Sequence, residues 1–227
     1  MATRFYFTTE AFPLNPSTGT GWEQTVDGDA FRKKLLRKTA LSTLSTLANQ
    51  SVTVPITTTQ DILSGKFYSD PIPPQRITGT VSIVIRCSEN ATTNNATLAV
   101  QIRVVSTDGN TQRGILFSNF NNDTEFALTA SAATRIVNAQ ALTAVTTQPG
   151  DRIVVEMGVH AAAPTAAGSA ILRFGNSAAS DFALTSALTT DLNPWIEFSD
   201  TIWPGDLNNY RFVNSADRAI SVTEKIR

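Results

Sequence analysis

Three stretches of this chain alternate apolar residues with others in a strict period of two. Val81, Ile83, Ile85 and Cys87 form one set, Leu98, Val100, Ile102 and Val104 a second, and Ile153, Val155, Met157 and Val159 a third. Successive side chains of a strand point to opposite faces, so this spacing lines one face of a sheet with aliphatic carbon. Between the second set and the run 113–120 stands Ser106-Thr107-Asp108-Gly109-Asn110-Thr111. Asp-Gly between two alternating runs signals a hairpin, because both turn positions tolerate positive φ. Strands joined this way are antiparallel and need no crossover helix.

Shorter runs extend the pattern. Residues 3–9, 52–56, 66–69, 77–87, 126–128, 134–138, 142–146, 170–174 and 195–202 read as strands, separated by Gly, Pro and Asn clusters. The expected fold is all-β, an antiparallel β-sandwich or jelly roll, occupying residues 1–203. Residues 204–227 form a polar C-terminal extension, read as an arm between subunits. In it Ile220 and Val222 alternate, as a segment added to a partner sheet would. Residues 31–47 are ambiguous. Phe31, Leu35, Leu41, Leu44 and Leu47 suit a helix face, but Thr39, Ser42, Thr43, Ser45 and Thr46 are poor helix formers, and the extended reading is favoured. Residues 177–190 read as a long surface loop, and Trp22 as a lid after a Gly-rich stretch.

Composition agrees and excludes several classes. The 227 residues include 32 Thr and 18 Ser, and only 16% are charged. Soluble domains average about 25% charged residues, and β-branched Thr favours extended backbone. No apolar run approaches the roughly 20 residues of a membrane helix, so no membrane association is expected. The N-terminus carries no apolar leader. A net charge of −1 argues against a dedicated nucleic-acid binder. One cysteine and one histidine leave no internal disulfide and no cysteine- or histidine-rich metal site, and no metal or cofactor is expected.

Candidate chemistry is thin. Glu156 and Glu197 sit opposite the apolar faces of their strands and could form the carboxylate pair of a glycoside hydrolase if they faced each other about 5–10 Å apart. The favoured reading is two solvated carboxylates. His160 reads as a capping or exposed residue and Cys87 as core. Arg32, Lys33, Lys34, Arg37 and Lys38 read as a solvated basic face. The Asn-X-Ser/Thr sites at Asn49, Asn90, Asn95 and Asn122 are attributed to chance in a chain rich in Asn and Thr. Trp22, Trp195, Trp203, Tyr210 and Phe212 are the candidates for an interface or a glycan contact. Trp195 is expected to look outward or into a second interface, because Ile196 and Phe198 take the other face.

Several phrases occur together: Gly21-Trp22-Glu23, Phe67-Tyr68-Ser69-Asp70-Pro71, Ile77-Thr78-Gly79-Thr80, residues 103–109, Pro149-Gly150-Asp151-Arg152 with residues 153–156, and Asn193-Pro194-Trp195-Ile196-Glu197-Phe198. Over residues 3–200 they resemble a family of mostly uncharacterised virion structural proteins of tailed bacteriophages. The resemblance implies a β-sandwich component of a phage particle, made in the host cytoplasm and located in the virion. It transfers no active-site residue. The expected function is that of an accessory capsid protein, a decoration or cement subunit acting as a homo-oligomer on major capsid or tail proteins, and not an enzyme. The alternatives are a tail-associated part (adaptor, baseplate or fibre) and a carbohydrate-binding module for a host surface glycan.

Overall fold

The computed structural model describes residues 1–15, 17–25, 32–37, 48–54, 58–121, 124–175 and 180–205. In chain order the strands are β1 (Thr3–Ala11), β2 (Gln24–Thr25), β3 (Arg32–Leu36), β4 (Ala48–Val54), β5 (Gln60–Ser69), β6 (Arg76–Ile77) and β7 (Thr80–Glu89). They continue with β8 (Ala96–Val105), β9 (Gln112–Asn119), β10 (Ala133–Ala141), β11 (Val145–Thr146), β12 (Arg152–Ala161), β13 (Gly168–Phe174) and β14 (Trp195–Phe198). Two single 3₁₀ turns, Thr92–Asn94 and Thr129–Ser131, are the helical elements among the described residues.

The fold is all-β, as the alternation requires. Nine strands follow one another round the molecule as β10-β7-β14-β1-β3-β5-β12-β8-β9, a sheet nearly closed into a barrel. A single backbone bond helps tie the two ends together, from Thr143 N–H to the Leu116 carbonyl at 2.8 Å. The sheet forks at β7. One edge of that strand takes β10, while the other takes β14 along Val81–Val84 and β13 along Arg86–Glu89, and β13 carries β4. Pairing is antiparallel except where β2 and β3 meet β5.

The three alternating sets all turn inward. They join Phe5, Phe7, Leu35, Phe67, Phe174, Ile196 and Phe198 in one buried core. Phe67 is its centre, edge-on to Phe7 at 4.9 Å and to Phe174 at 5.1 Å. Full burial of such a side chain is worth about 1.5–3 kcal/mol, so these strand faces supply the main driving force. The Asp108-Gly109 hairpin forms as expected: Gly109 has φ +79°, and its N–H donates to the Ser106 carbonyl at 2.8 Å.

Several boundaries differ from the sequence reading. The run 77–87 is two strands, because Gly79 at φ +78° breaks it and lets the backbone pass close to Ser199. Strand β5 starts six residues before Lys66. There the register shifts between Gly158 and Met157 of β12, and Ile62, Leu63 and Ser64 are buried in succession, which hides the period. Residues 126–128 contribute one bridge, Leu128 to Glu89, and no strand. The extended reading holds for Arg32–Leu36, whereas Phe31 and residues 38–47 lie outside the described residues.

Candidate functional site

The densest polar cluster lies on the outer surface of β5, β12 and β8. Glu156 stands opposite Lys66 on one neighbour and Gln101 on the other. It points away from the core, as expected, but it is not solvated: its exposure is 0%. Residues 17–22 pass over it as a strap. Arg103 Nη2 donates to Glu156 Oε1 at 2.6 Å and to the Ser17 carbonyl at 2.7 Å. The Gly19 N–H donates to both carboxylate oxygens, at 2.9 and 3.1 Å, and Trp22 Nε1 donates to Oε2 at 3.0 Å. Lys66 Nζ reaches Thr18 Oγ1 at 2.6 Å, and Gln101 Nε2 reaches the Thr20 carbonyl at 3.0 Å.

This arrangement dictates two glycines. A Cβ on Gly19 would stand 1.9 Å from Gln101 Oε1 and 2.5 Å from Glu156 Oε2. A Cβ on Gly158 would stand 2.0 Å from the Ile62 carbonyl oxygen of β5 and 2.7 Å from the Trp22 ring. Burial lowers the pKa of the Lys66 ammonium, with Glu156 opposing that shift, and burial raises that of the Tyr68 phenol. A carboxylate with three protein donors and no exposed surface is an anchor for the strap. Every oxygen of the Glu156 carboxylate is met by a donor, while Arg103 Nε and Gln101 Oε1 are buried without a hydrogen-bond partner, so the network holds the strap without being fully satisfied.

A second polar layer closes over Trp195. The ring lies opposite Ile196 and Phe198, outside the barrel, but residues 180–192 cover it and its exposure is 2%. Its Nε1 donates to the Phe182 carbonyl at 2.7 Å, and the Arg4 guanidinium lies 3.9 Å from the ring centroid. Asp181 receives Tyr6 OH at 2.7 Å and Arg4 Nη1 at 3.1 Å. Glu197 receives Arg4 Nε at 3.0 Å. The Tyr6 phenol is pushed up by burial and then by Asp181. Residues 180–192 are thus a cover, and Trp195 has no ring face open to a sugar.

Glu156 and Glu197 are not a carboxylate pair. Their strands β12 and β14 are separated by β5, β3 and β1. Four steps of about 4.8 Å put them roughly 15–20 Å apart along the curved sheet, and each belongs to its own network. His160 Nδ1 lies 2.7 Å from Asp61 Oδ1, directly across the β12–β5 register. Cys87 is in the core and burial raises its thiol pKa. Among the described residues the basic stretch is not a solvated face either; Lys38 lies outside them. Arg32 is buried, Lys34 pairs with Glu10, and Arg37 donates to the Ile202 carbonyl.

Trp22 is half-buried, edge-on to Phe120 at 4.7 Å. Trp203 is 60% exposed, and its backbone N–H donates to Gln75 Oε1 at 3.1 Å. Next to it a cavity of about 110 Å³ opens between Arg37, Asp70, Pro71 and Pro204. Tyr210, Phe212 and the rest of the expected arm beyond residue 205 lie outside the described residues. The residues that sequence reasoning missed are Gly19, Lys66, Gln101 and Arg103. For Lys66, Gln101 and Arg103 the signal was present as polar residues on the outer faces of neighbouring strands, but it becomes readable only once the register is known, and for Gly19 the sequence carried no signal.

No family model and no curated protein matches the chain. Among solved structures it is similar to two crystal structures of a CocE/NonD family hydrolase from Staphylococcus aureus. One has a TM-score of 0.42 at 11% identity, covering 88% of this chain and 36% of that one. The other has a TM-score of 0.40 at 9% identity, covering 87% and 36%. The resemblance to tailed-phage virion proteins is therefore corrected: no family model carries it, and these similar structures belong to a hydrolase. Its phrases are strand and turn phrases, which a Thr-rich sheet requires whatever its ancestry. This chain spans little more than a third of the hydrolase, and a likeness at that level carries nothing of the hydrolase's activity.

Proposed function

We propose that this chain is a non-catalytic structural subunit that works through contacts with other protein copies. The concrete form is an accessory capsid subunit, and the tail-associated form would be present in far fewer copies. The observation that carries the reading is how the polar side chains are spent. Arg4, Arg103, Glu156, Asp181 and Glu197 all hold the chain's own strap or cover onto the barrel. Among the described residues Trp203 is an aromatic side chain left in solvent, followed by Pro204 and close to the proline corner at residues 71–74. An exposed aromatic next to rigid proline backbone suits a protein contact, because little side-chain entropy is lost on docking.

Sedimentation or light scattering of the full chain tests this. A discrete homo-oligomer is expected, and Trp203→Ala should weaken it by about tenfold or more while leaving the fold intact. A chain that stays monomeric at high concentration, or a variant that assembles unchanged, removes the reading. Where the chain occurs in a particle, its copy number separates the capsid form from the tail form. The carbohydrate-binding reading keeps Trp203 as its open ring, and a glycan array with the full chain decides it.

A further inference from the structure

Trp203 stands apart from the other two tryptophans of the chain. Trp22 gives its ring N–H to the Glu156 carboxylate at 3.0 Å and packs edge-on to Phe120. Trp195 gives its ring N–H to the Phe182 carbonyl at 2.7 Å and has the Arg4 guanidinium 3.9 Å from its ring centroid. The Trp203 ring is 60% exposed and makes no hydrogen bond or ring contact among the described residues. It lacks the acceptor and the packing partner that the other two have.

The cavity beside it has the opposite deficit. Phe5 and Ile72 supply apolar lining, Pro71 and Pro204 rigid walls, and Arg37 and Asp70 one charge of each sign. The Asp70 side chain is exposed, and its carboxylate accepts no hydrogen bond among the described residues. The wall at residues 204–205 is built in: the Gly205 N–H donates to the Pro71 carbonyl at 3.1 Å, and a Cβ on Gly205 would stand 2.4 Å from that oxygen. Arg37 donates to the Ile202 carbonyl, and the Trp203 N–H donates to Gln75 Oε1 at 3.1 Å. The backbone on both sides of Trp203 is thus pinned, and its ring is not among the cavity's walls.

We propose that this cavity receives Trp203 of a second copy, and that two copies exchange these rings about a two-fold axis. The inference rests on the oligomeric reading above and names the receiving surface. Ring and cavity wall are adjacent in the chain, so one rotation seats both rings and closes the assembly at two. The apolar lining takes ring carbon, Arg37 meets the π face, and Asp70 accepts the ring N–H. An apolar cavity of roughly 150 Å³ holds a benzene ring. At about 110 Å³ this one takes the smaller, N–H-bearing part of the indole. One charge of each sign in the cavity spares facing copies a like-charge penalty.

Sedimentation equilibrium of the full chain tests this with the wild type, Trp203→Phe, Asp70→Ala and the double variant. Trp203→Phe keeps a ring and loses the N–H. Each single change should weaken the dimer by about tenfold or more, since a hydrogen bond to a charged group is lost at both contacts. The double variant should be no weaker than the weaker single one, because both changes remove the same bond. Losses that multiply in the double variant overturn the proposal, as does a dimer that Asp70→Ala leaves unchanged. If Trp203→Ala still weakens the dimer in those cases, the oligomeric reading stands and only the receiving surface falls. A wild type that stays monomeric removes both. Tryptophan fluorescence of the wild type needs no variant: emission should shift to the red as the dimer is diluted to monomer. Unchanged emission across that range overturns the exchange.

Discussion

At the scale of single residues, the strap over Glu156 gives the sharpest expectations. Gly19→Ala would force its new methyl against Gln101 and Glu156. Overpacking of that kind costs about 1–3 kcal/mol, to be read as a lower urea midpoint at unchanged slope. Glu156→Ala leaves the Arg103 guanidinium buried without its counter-charge and should cost about 3–5 kcal/mol, whereas Arg103→Met with Glu156→Leu together should cost less than either change alone. An additive double-mutant cycle would contradict the pairing. These residues also mark the limit of what the sequence discloses. That Glu156 lies on the polar face of its strand is legible from Val155 and Met157. That the polar face is covered is not, because the cover comes from residues about 137 positions away and depends on register. The same gap separates the outward orientation of Trp195, which the alternation predicts, from its burial under residues 180–192.

At the scale of elements, the long strands were legible wherever one face was aliphatic and the other polar. β8 shows the limit: its central residues alternate in chemistry, yet all ten of its positions are buried. A strand covered on both sides carries the same alternation as one open to water when its polar residues are satisfied by a strap. β5 failed for the opposite reason, a bulge in a stretch where four buried residues, 62–65, stand in a row. The hairpin at Asp108-Gly109 was legible because its cause is local. Gly109→Ala, at φ +79°, should cost about 1–2 kcal/mol and act through the β8–β9 pair, which exchange measurements on those two strands can verify.

At the scale of the whole molecule, stability should depend on pH through Glu89. Its carboxyl titrates at about 7 in the fold against 4.5 for the free group. Between those values the folded chain holds a proton that the unfolded chain has released, so stability falls as pH rises through the window. Thermal midpoints measured from about pH 4.5 to pH 8 should decline in the wild type relative to Glu89→Gln. Trp203→Ala, by contrast, should leave the midpoint of the isolated chain within about 0.5 kcal/mol of the wild type, since its ring touches mostly solvent.

The pairing of Thr3 with Phe198 ties the first strand to the last one among the described residues. During synthesis at about 5–20 residues per second, one edge of β1 waits roughly 10–40 s for its neighbour to leave the ribosome. Through that interval a row of free amide and carbonyl groups, flanked by Phe5 and Phe7, is open to any passing strand. Crowded nascent chains of this protein thus face their greatest risk of sticking together before the final strand emerges, and slower translation would lengthen that exposure.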